Sequence, residues 1–406
     1  MSVSEIRSQF PILSRTVYGK PLVYLDNAAS AQRPQSVADL WRRLSLEENA
    51  NIHRAVHCLA GRATDAYEGA RDRVRVFLNA PSREEIVFTS GATAAINLIA
   101  FSFGEAFVQE GDEIIVSVAG HHSNIVPWQM LCNRKKAVLK VLDIRENGVL
   151  AAESLEKLIS ERTKLVAISH ISNVLGLVNP VREIVAISHK HGVPVLVDGA
   201  QGAVHGEVDV QEMDCDFYVF SGHKLYAATG TGVLYGKRKW LDAMPPYMGG
   251  GEMIHSVSFS ETTYAPLPGK FEAGTQNFNA APTLVPALDL LEAMREDADV
   301  QREQSAILDF VYNALMADER IILFGIARAS KIPLFSFAVK GAHHEDLALI
   351  LDKMGIALRS GQMCAEPLMD RLGVTGLLRA SFAPYNTIEE AEYFIKSLNK
   401  AINMLI

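Results

Sequence analysis

"VPVLVDGA" (193–200) is an apolar run that ends on an acid, and its reading decides the fold. A run without polar alternation suits a strand buried on both faces, because a half-exposed strand would read apolar and polar in turn. Comparable runs flank it: "EIVFT" (85–89), "DEIIVS" (112–117), "LVAISH" (165–170) and "DFYVFSG" (216–222). The helical patterns "TAAINLIAFSF", "SNIVPWQMLCNR" and "VREIVAISHKH" separate them. This alternation predicts an α/β fold whose parallel sheet is covered on both faces. Parallel sheets take ligands beyond the carboxyl ends of their strands. The tails "TSG", "SVAGHH", "VDGAQ" and "FSGHK" should therefore converge.

After about residue 285 a second pattern begins. The helix "TLVPALDLLEAMRE" leads to "LFSFAVK" (334–340), the helix "HEDLALILDKM", then "IALRS", "LLRASFAPYN" and a terminal amphipathic helix. The expected organisation is an N-terminal segment (1–20) packed with the small domain, a large domain (21–285) and a small α/β domain (286–406) carrying the Cys364 loop.

The chain has 406 residues, a net charge of −8 and scattered basic residues, so no footprint for nucleic acid is present. No apolar stretch is long enough for a bilayer-spanning helix, and "MSVSEIRSQFPIL" lacks an export pattern. Cys58, Cys132, Cys215 and Cys364 lie too far apart for a disulfide framework. Reduced thiols and a cytoplasmic location are expected.

The tails carry the chemistry. Lys224 in "SGHKLY" would, taken alone, be a surface lysine. Asp198 would cap a helix. Together, a lysine able to form a Schiff base and an acid able to hold a pyridinium nitrogen point to a pyridoxal cofactor. Ser90, Gly91 and Thr93 stand before a helix that offers N–H groups to a phosphate, and Ser221 and His223 add donors. His121 or His122 can stack on an aromatic ring, and Gln201 and Asn173 can reach its phenolic oxygen. Cys58, Cys132 and Cys215 read as buried, inert thiols. "NIHRAVHC" pairs His53 with His57 at helical spacing, but no second ligand cluster accompanies them, so no metal is expected.

"VDGAQ", "SGHKLY", "HHSNIVPWQ", "ISNVLG", "FEAGTQN" and "LRASFAPYNT" together resemble the cysteine desulfurases among the fold-type I pyridoxal-phosphate enzymes (class-V aminotransferases). "RSGQMCA" is similar to the cysteine segment of the group II, SUF-type enzymes and of selenocysteine-lyase-like enzymes. The resemblance runs from "YLDNAAS" (24–30) to the C-terminus. It implies a large domain with a mainly parallel seven-stranded sheet between helices, and a smaller α/β domain. It implies pyridoxal 5'-phosphate anchored by Lys224, with Asp198 on the ring nitrogen, His121 stacked on the ring, and Gln201 and Asn173 beside it. Thr93, Ser221 and His223 become phosphate ligands. Thr275 would serve the opposite subunit of a homodimer. Arg379 would hold the substrate carboxylate, His53 would line the entrance, and Cys364 would be the nucleophile. Its implied reaction converts L-cysteine to L-alanine and leaves a persulfide on Cys364. The sulfur would then pass to an acceptor of the SufE or SufU type for iron–sulfur cluster assembly.

The sequence departs from that pattern in several places. Ser90, Gly91 and Ala92 replace a family Arg-Gly-Thr, Gly120 stands where glutamate is common, and Ala227–Ala228 replace Gly-Pro. Gln362 and Met363 replace histidines before the cysteine. The alternatives are a selenocysteine lyase or other amino-acid lyase on the same scaffold, and a catalytically silent, cofactor-bound assembly partner.

Overall fold

The computed structural model describes residues 2–406. Its central sheet contains β1 (Ile86–Thr89), β2 (Glu113–Ser117), β3 (Val138–Leu142), β4 (Thr163–Ser169), β5 (Val195–Asp198), β6 (Phe217–Ser221) and β7 (Gly232–Gly236). They lie in the order β1-β7-β6-β5-β4-β2-β3. Neighbours from β3 to β6 are parallel, and β7 runs antiparallel to both β6 and β1. The sheet is thus the mainly parallel seven-stranded one that the resemblance implied, with β7 as the antiparallel exception to the parallel strand runs. Residues 222–231 are too few for a crossover helix, so the chain after Lys224 must return antiparallel.

The large domain carries α1 (Gln35–Leu46), α2 (Cys58–Phe77), α3 (Ala92–Phe107), α4 (Val126–Lys135), α5 (Val181–Lys190) and α6 (Leu284–Glu296). Alternate strand residues separate two cores. Val166, Val195, Val197 and Phe220 pack with α2, α5 and α6. Leu165, Leu196, Phe217 and Val219 pack with α3 and α4. Both sheet faces are therefore dry, which explains the uninterrupted apolar runs.

The small domain contains α7 (Ala298–Ala317), α8 (His344–Lys353), α9 (Glu366–Leu372) and α10 (Ile388–Leu405). Its antiparallel strands are β8 (Ile321–Phe324), β9 (Leu334–Val339), β10 (Arg359–Gly361) and β11 (Leu377–Ser381). The helix α6 spans the expected boundary at 285–286. Leu284, Ala287, Leu288, Leu291 and Met294 form one helical stripe in the large-domain core. Asp297 then caps α7 by accepting from the N–H groups of Asp299 and Val300; Val300 still packs in the large-domain core, and Ile307 packs in the small-domain core. Near the expected upstream boundary, Val23 and Leu25 pack in the small-domain core, and Val23–Tyr24 pair in parallel with Ile356–Ala357. The N-terminal segment joins both units. Ile6, Phe10 and Leu13 enter the large core, while Arg7 pairs with Glu390 at 2.6 Å.

One close approach sets the start of α3. A Cβ on Gly232 would lie 2.7 Å from both the nitrogen and the carbonyl carbon of Gly91, the residue before that helix. Backbone cannot give way as a side-chain tip can. Gly232→Ala should lower unfolding free energy by about 1–3 kcal/mol, the usual cost of overpacking. Chemical denaturation would read this as a lower midpoint with an unchanged slope.

Candidate active site

The carboxyl ends of β4, β5 and β6 open into a cavity of about 270 Å³ with a solvent-facing mouth. That volume suits a cofactor-sized ligand. Of the residues singled out in the sequence, the structure brings Thr93, His121, Asn173, Asp198, Gln201, Ser221, His223, Lys224, Cys364 and Arg379 to its walls.

Lys224 ends the short turn Gly222–Lys224 that follows β6. Burial pushes its amine below the ordinary lysine value; the Asp198 carboxylate opposes that shift and Arg379 reinforces it. Asp198 is the last residue of β5 and is 6% exposed. Its Oδ1 accepts from the Ala200 N–H at 3.0 Å. Burial raises its carboxyl, and the Ala200 bond and Lys224 hold it down. Lys224 and Asp198 feel each other's charge without a hydrogen bond between them among the described residues.

His121 precedes a short turn at the mouth of β2. Its Nδ1 accepts from the Ser123 N–H at 3.1 Å, which places the ring proton on Nε2. Burial lowers its pKa to about 4, helped by Lys224, His122 and Arg379, so the ring is neutral. Ser123 Oγ also meets Thr93 Oγ1 at 2.7 Å. Ser123 itself lines the cavity and was not singled out in the sequence.

The N-terminus of α3 forms one wall. Gly91 takes φ 153° and ψ 172° and offers no capping side chain; Ser221 Oγ accepts from the Ala92 N–H at 2.8 Å. The Cβ a residue at 91 would carry would come 3.3 Å from Ser221 Oγ. N–H groups at the start of a 16-residue helix, with Thr93, Ser221 and His223 beside them, suit a phosphate. Ser90 faces a neighbouring cavity instead.

Amide positions are partly engaged. Gln201 Nε2 donates one N–H to Ala28 O at 2.8 Å. Asn173 Nδ2 donates to Met363 O at 2.9 Å. Arg379, on β11 and 3% exposed, donates through Nη1 to Asn173 O at 2.8 Å and through Nη2 to Asp26 Oδ1 at 3.4 Å. Its Nε is buried with no partner, an unused donor at the cavity wall. Burial lowers this guanidinium to about 10, so it stays charged. Arg359, its cross-strand neighbour, also lines the cavity and grips Asp26 at 2.7 and 3.2 Å. Neither Arg359 nor Asp26 was singled out in the sequence.

Cys364 is exposed, at the cavity mouth, and close enough to Lys224, Arg359 and Arg379 to bear on their charge. Cys132 and Cys215 are buried; burial pushes Cys132 up to about 11 and raises Cys215 too. Cys58 is a correction, since it is exposed at the first turn of α2 rather than buried.

Two residues lie elsewhere. His53 Nε2 pairs with Glu68 at 3.1 Å, outside the cavity. Thr275 is exposed and lines the neighbouring cavity with Ser90.

A buried unpartnered guanidinium nitrogen, an amine and acid that share the cavity without touching, and a helix N-terminus at its wall together fit pyridoxal 5'-phosphate. The aminotransferase class-V family model matches residues 23–394, and the chain belongs to that family. Within it the relatives are cysteine desulfurases. A probable cysteine desulfurase of Vibrio cholerae is 45% identical over the whole of both chains. A cysteine desulfurase of Pectobacterium carotovorum is 45% identical, covering 99% of this chain and 98% of that one. The crystal structure of the cysteine desulfurase CsdA (S-sulfonic acid) from Escherichia coli superposes with a TM-score of 0.90 at 40% identity, over the full length of both. The apo cysteine desulfurase of Thermococcus onnurineus NA1 gives 0.92 at 34%, covering 99% and 98%. The fold is that of the type I pyridoxal-phosphate enzymes, and the family's cofactor is pyridoxal 5'-phosphate.

Burial lowers His121, His170, His205 and His223 each to about 4. A depressed histidine favours the folded state above about 6.5, its unfolded value. That contribution is lost as pH falls towards about 4. Between those limits the unfolded cofactor-free chain binds more protons, so stability should fall with a slope of at least ~2 kcal/mol per pH unit, one and a half protons' worth from His121, His170 and His205, with the partly exposed His223 screened by solvent. Denaturant titrations across that window measure it.

Proposed function

We propose that this chain is a cysteine desulfurase that converts L-cysteine to L-alanine and collects the sulfur on Cys364. The observation that carries this reading is the placement of an exposed cysteine on the same cavity as a half-buried Lys224 and the buried Asp198 and Arg379.

Bound pyridoxal phosphate supplies an aldehyde carbon for amines and a ring that draws electrons from the substrate's Cα. Lys224 anchors it, and the freed amine, its basicity trimmed by burial, takes the Cα proton. Asp198 keeps a proton on the ring nitrogen; a cation there reverses the upward push that burial gives the acid. His121 would stack on the ring as neutral imidazole, with its Nε2–H available. Gln201 and Asn173 would face the ring's oxygen, and Thr93, Ser221, His223 and N–H groups at the start of α3 would hold the phosphate.

Arg379 takes the substrate carboxylate, using the donor that has no partner in the protein. Cys364 Sγ, as thiolate, attacks the substrate sulfur. An S–S bond forms and the Cβ–S bond breaks. Its electron pair goes to carbon, which a proton completes as alanine; the transferred sulfur is oxidised to the sulfane level as carbon is reduced. The persulfide at the exposed mouth then meets an acceptor protein of the SufE or SufU type, which carries the sulfur towards iron–sulfur clusters. Thr275 lies exposed outside its own cavity, as a residue serving a second subunit's phosphate would, and this supports a homodimer.

Lys224→Ala should abolish an absorbance band near ~420 nm in the purified protein. Cys364→Ser should keep that band and lose alanine formation from cysteine while sparing selenocysteine, whose selenium leaves without a thiol. Full cysteine activity in that variant defeats the assignment of the nucleophile.

Arg379→Lys loses a planar fork at a buried carboxylate site. KM for cysteine should rise by about 10- to 100-fold, the range for a lost charge-assisted bond. Steady-state alanine release across cysteine concentrations checks this.

A further inference from the structure

We propose that His122 is a positioning residue that holds the Cys364 loop in its working conformation by capping α9 from across the domain seam. The inference rests on Cys364 being the sulfur-accepting residue. Its first observation is backbone strain. Met363 and Cys364 both take φ 55°, after Gly361 at φ 110°. Two successive side-chain-bearing residues in the left-handed region are unfavourable, and such a pair persists only where its surroundings enforce it.

The enforcement comes from the large domain. The His122 N–H donates to Cys364 O at 2.7 Å, and Asn173 Nδ2 donates to Met363 O at 2.9 Å. The Glu366 N–H donates to His122 Nε2 at 3.0 Å. Glu366 opens α9, and Ala365 before it has no side chain able to cap. His122 therefore supplies from 244 residues away the acceptor that a local Ser or Asp would normally give. Met363 is 8% exposed and packs in the large-domain core, which pins the other side of the cysteine.

The geometry separates two tasks between adjacent histidines. His121 faces the cavity, while His122 has its Nε2 lone pair committed to Glu366. Without that acceptor the start of α9 is uncapped, and the left-handed pair can relax to a commoner conformation. Cys364 would then sample positions away from the cavity.

The test uses the cofactor-loaded enzyme in a Cys58→Ser background, so that Cys364 is the one exposed thiol among the described residues. His122→Phe keeps a ring and the backbone N–H but removes the acceptor; His122→Gln restores an acceptor. Alkylation of Cys364 by iodoacetamide should be about fivefold faster in the Phe variant, the effect of one neutral hydrogen bond, and near the parental rate in the Gln variant. Deuterium exchange at the Glu366 amide should follow the same order. The kcat for alanine should drop by a similar factor in the Phe variant, with KM and the cofactor band unchanged. Equal behaviour of Phe variant and parent, equal changes in Phe and Gln, or an unchanged kcat each overturns the proposal. If the Phe variant does not fold, an unprotected Glu366 amide in the parent overturns it. Failure of the desulfurase reading shows separately, as absent alanine in a parent whose labelling and exchange behave as expected.

Discussion

A half-buried amine and a buried acid that share one cavity without touching are the constraint on which the rest depends. Removing either charge from water costs several kcal/mol, and direct pairing would be the simplest relief. Here the sheet prevents it. Asp198 terminates β5, Lys224 follows β6 by a turn, and the register Asp198↔Val219 staggers the two chain ends. Burial pushes the acid up and the amine down, and each only partly corrects the other. A guest with an electrophilic carbon at one end and a basic ring nitrogen at the other satisfies both groups at once.

The second requirement is that groups from two domains meet that guest. Arg379 and Cys364 belong to the small domain, Lys224 and Asp198 to the large one. Arg379 reaches across to Asn173 O, and Asp26 ties Arg379 to Arg359. Asp26 lies just past Val23–Tyr24, the short N-terminal piece paired to the small domain, and bridges to Ser381. Chain from residues 23–26 thus stitches the seam beside the substrate's place. One Asp26 carboxylate shared by Arg359 and Arg379 offsets one of their two charges, and the other suits an amino acid's carboxylate.

Much of this was legible in the sequence because it is local. Apolar runs marked β1, β2, β4, β5 and β6, and the tails after them marked most of the cavity wall. What was missed depends on long-range pairing or on weak local pattern. β3, "VLKVL", is an edge strand whose exposed positions and Lys140 break the apolar run. β7, "GVLYG", is short and rich in glycine, and Gly232 is needed where the strand passes Gly91. Asp26 and Arg359 are 333 residues apart, and nothing in either segment announces the ion pair. Thr275 and His53 resemble site residues by motif, yet within one chain each sits against other neighbours.

Where the sequence departs from the family pattern, the structure supplies compensating contacts. A Gly-Pro after the lysine turn would put proline at 228, which has no N–H. Here the Ala228 N–H donates to Thr283 Oγ1 at 3.1 Å and the Ala227 N–H to Gly222 O at 3.0 Å. Both alanines are fully buried, so hydrogen bonds and packing replace ring stiffness in holding the segment after Lys224. Met363 stands where histidine is common; it is 8% exposed and packed in the core, and it adds an apolar surface to the cavity wall. Such a residue anchors the cysteine loop by burial and leaves proton transfer to His121 and Lys224. The exchange of a polar group for an apolar anchor therefore tightens the loop's position while narrowing the set of groups that carry protons.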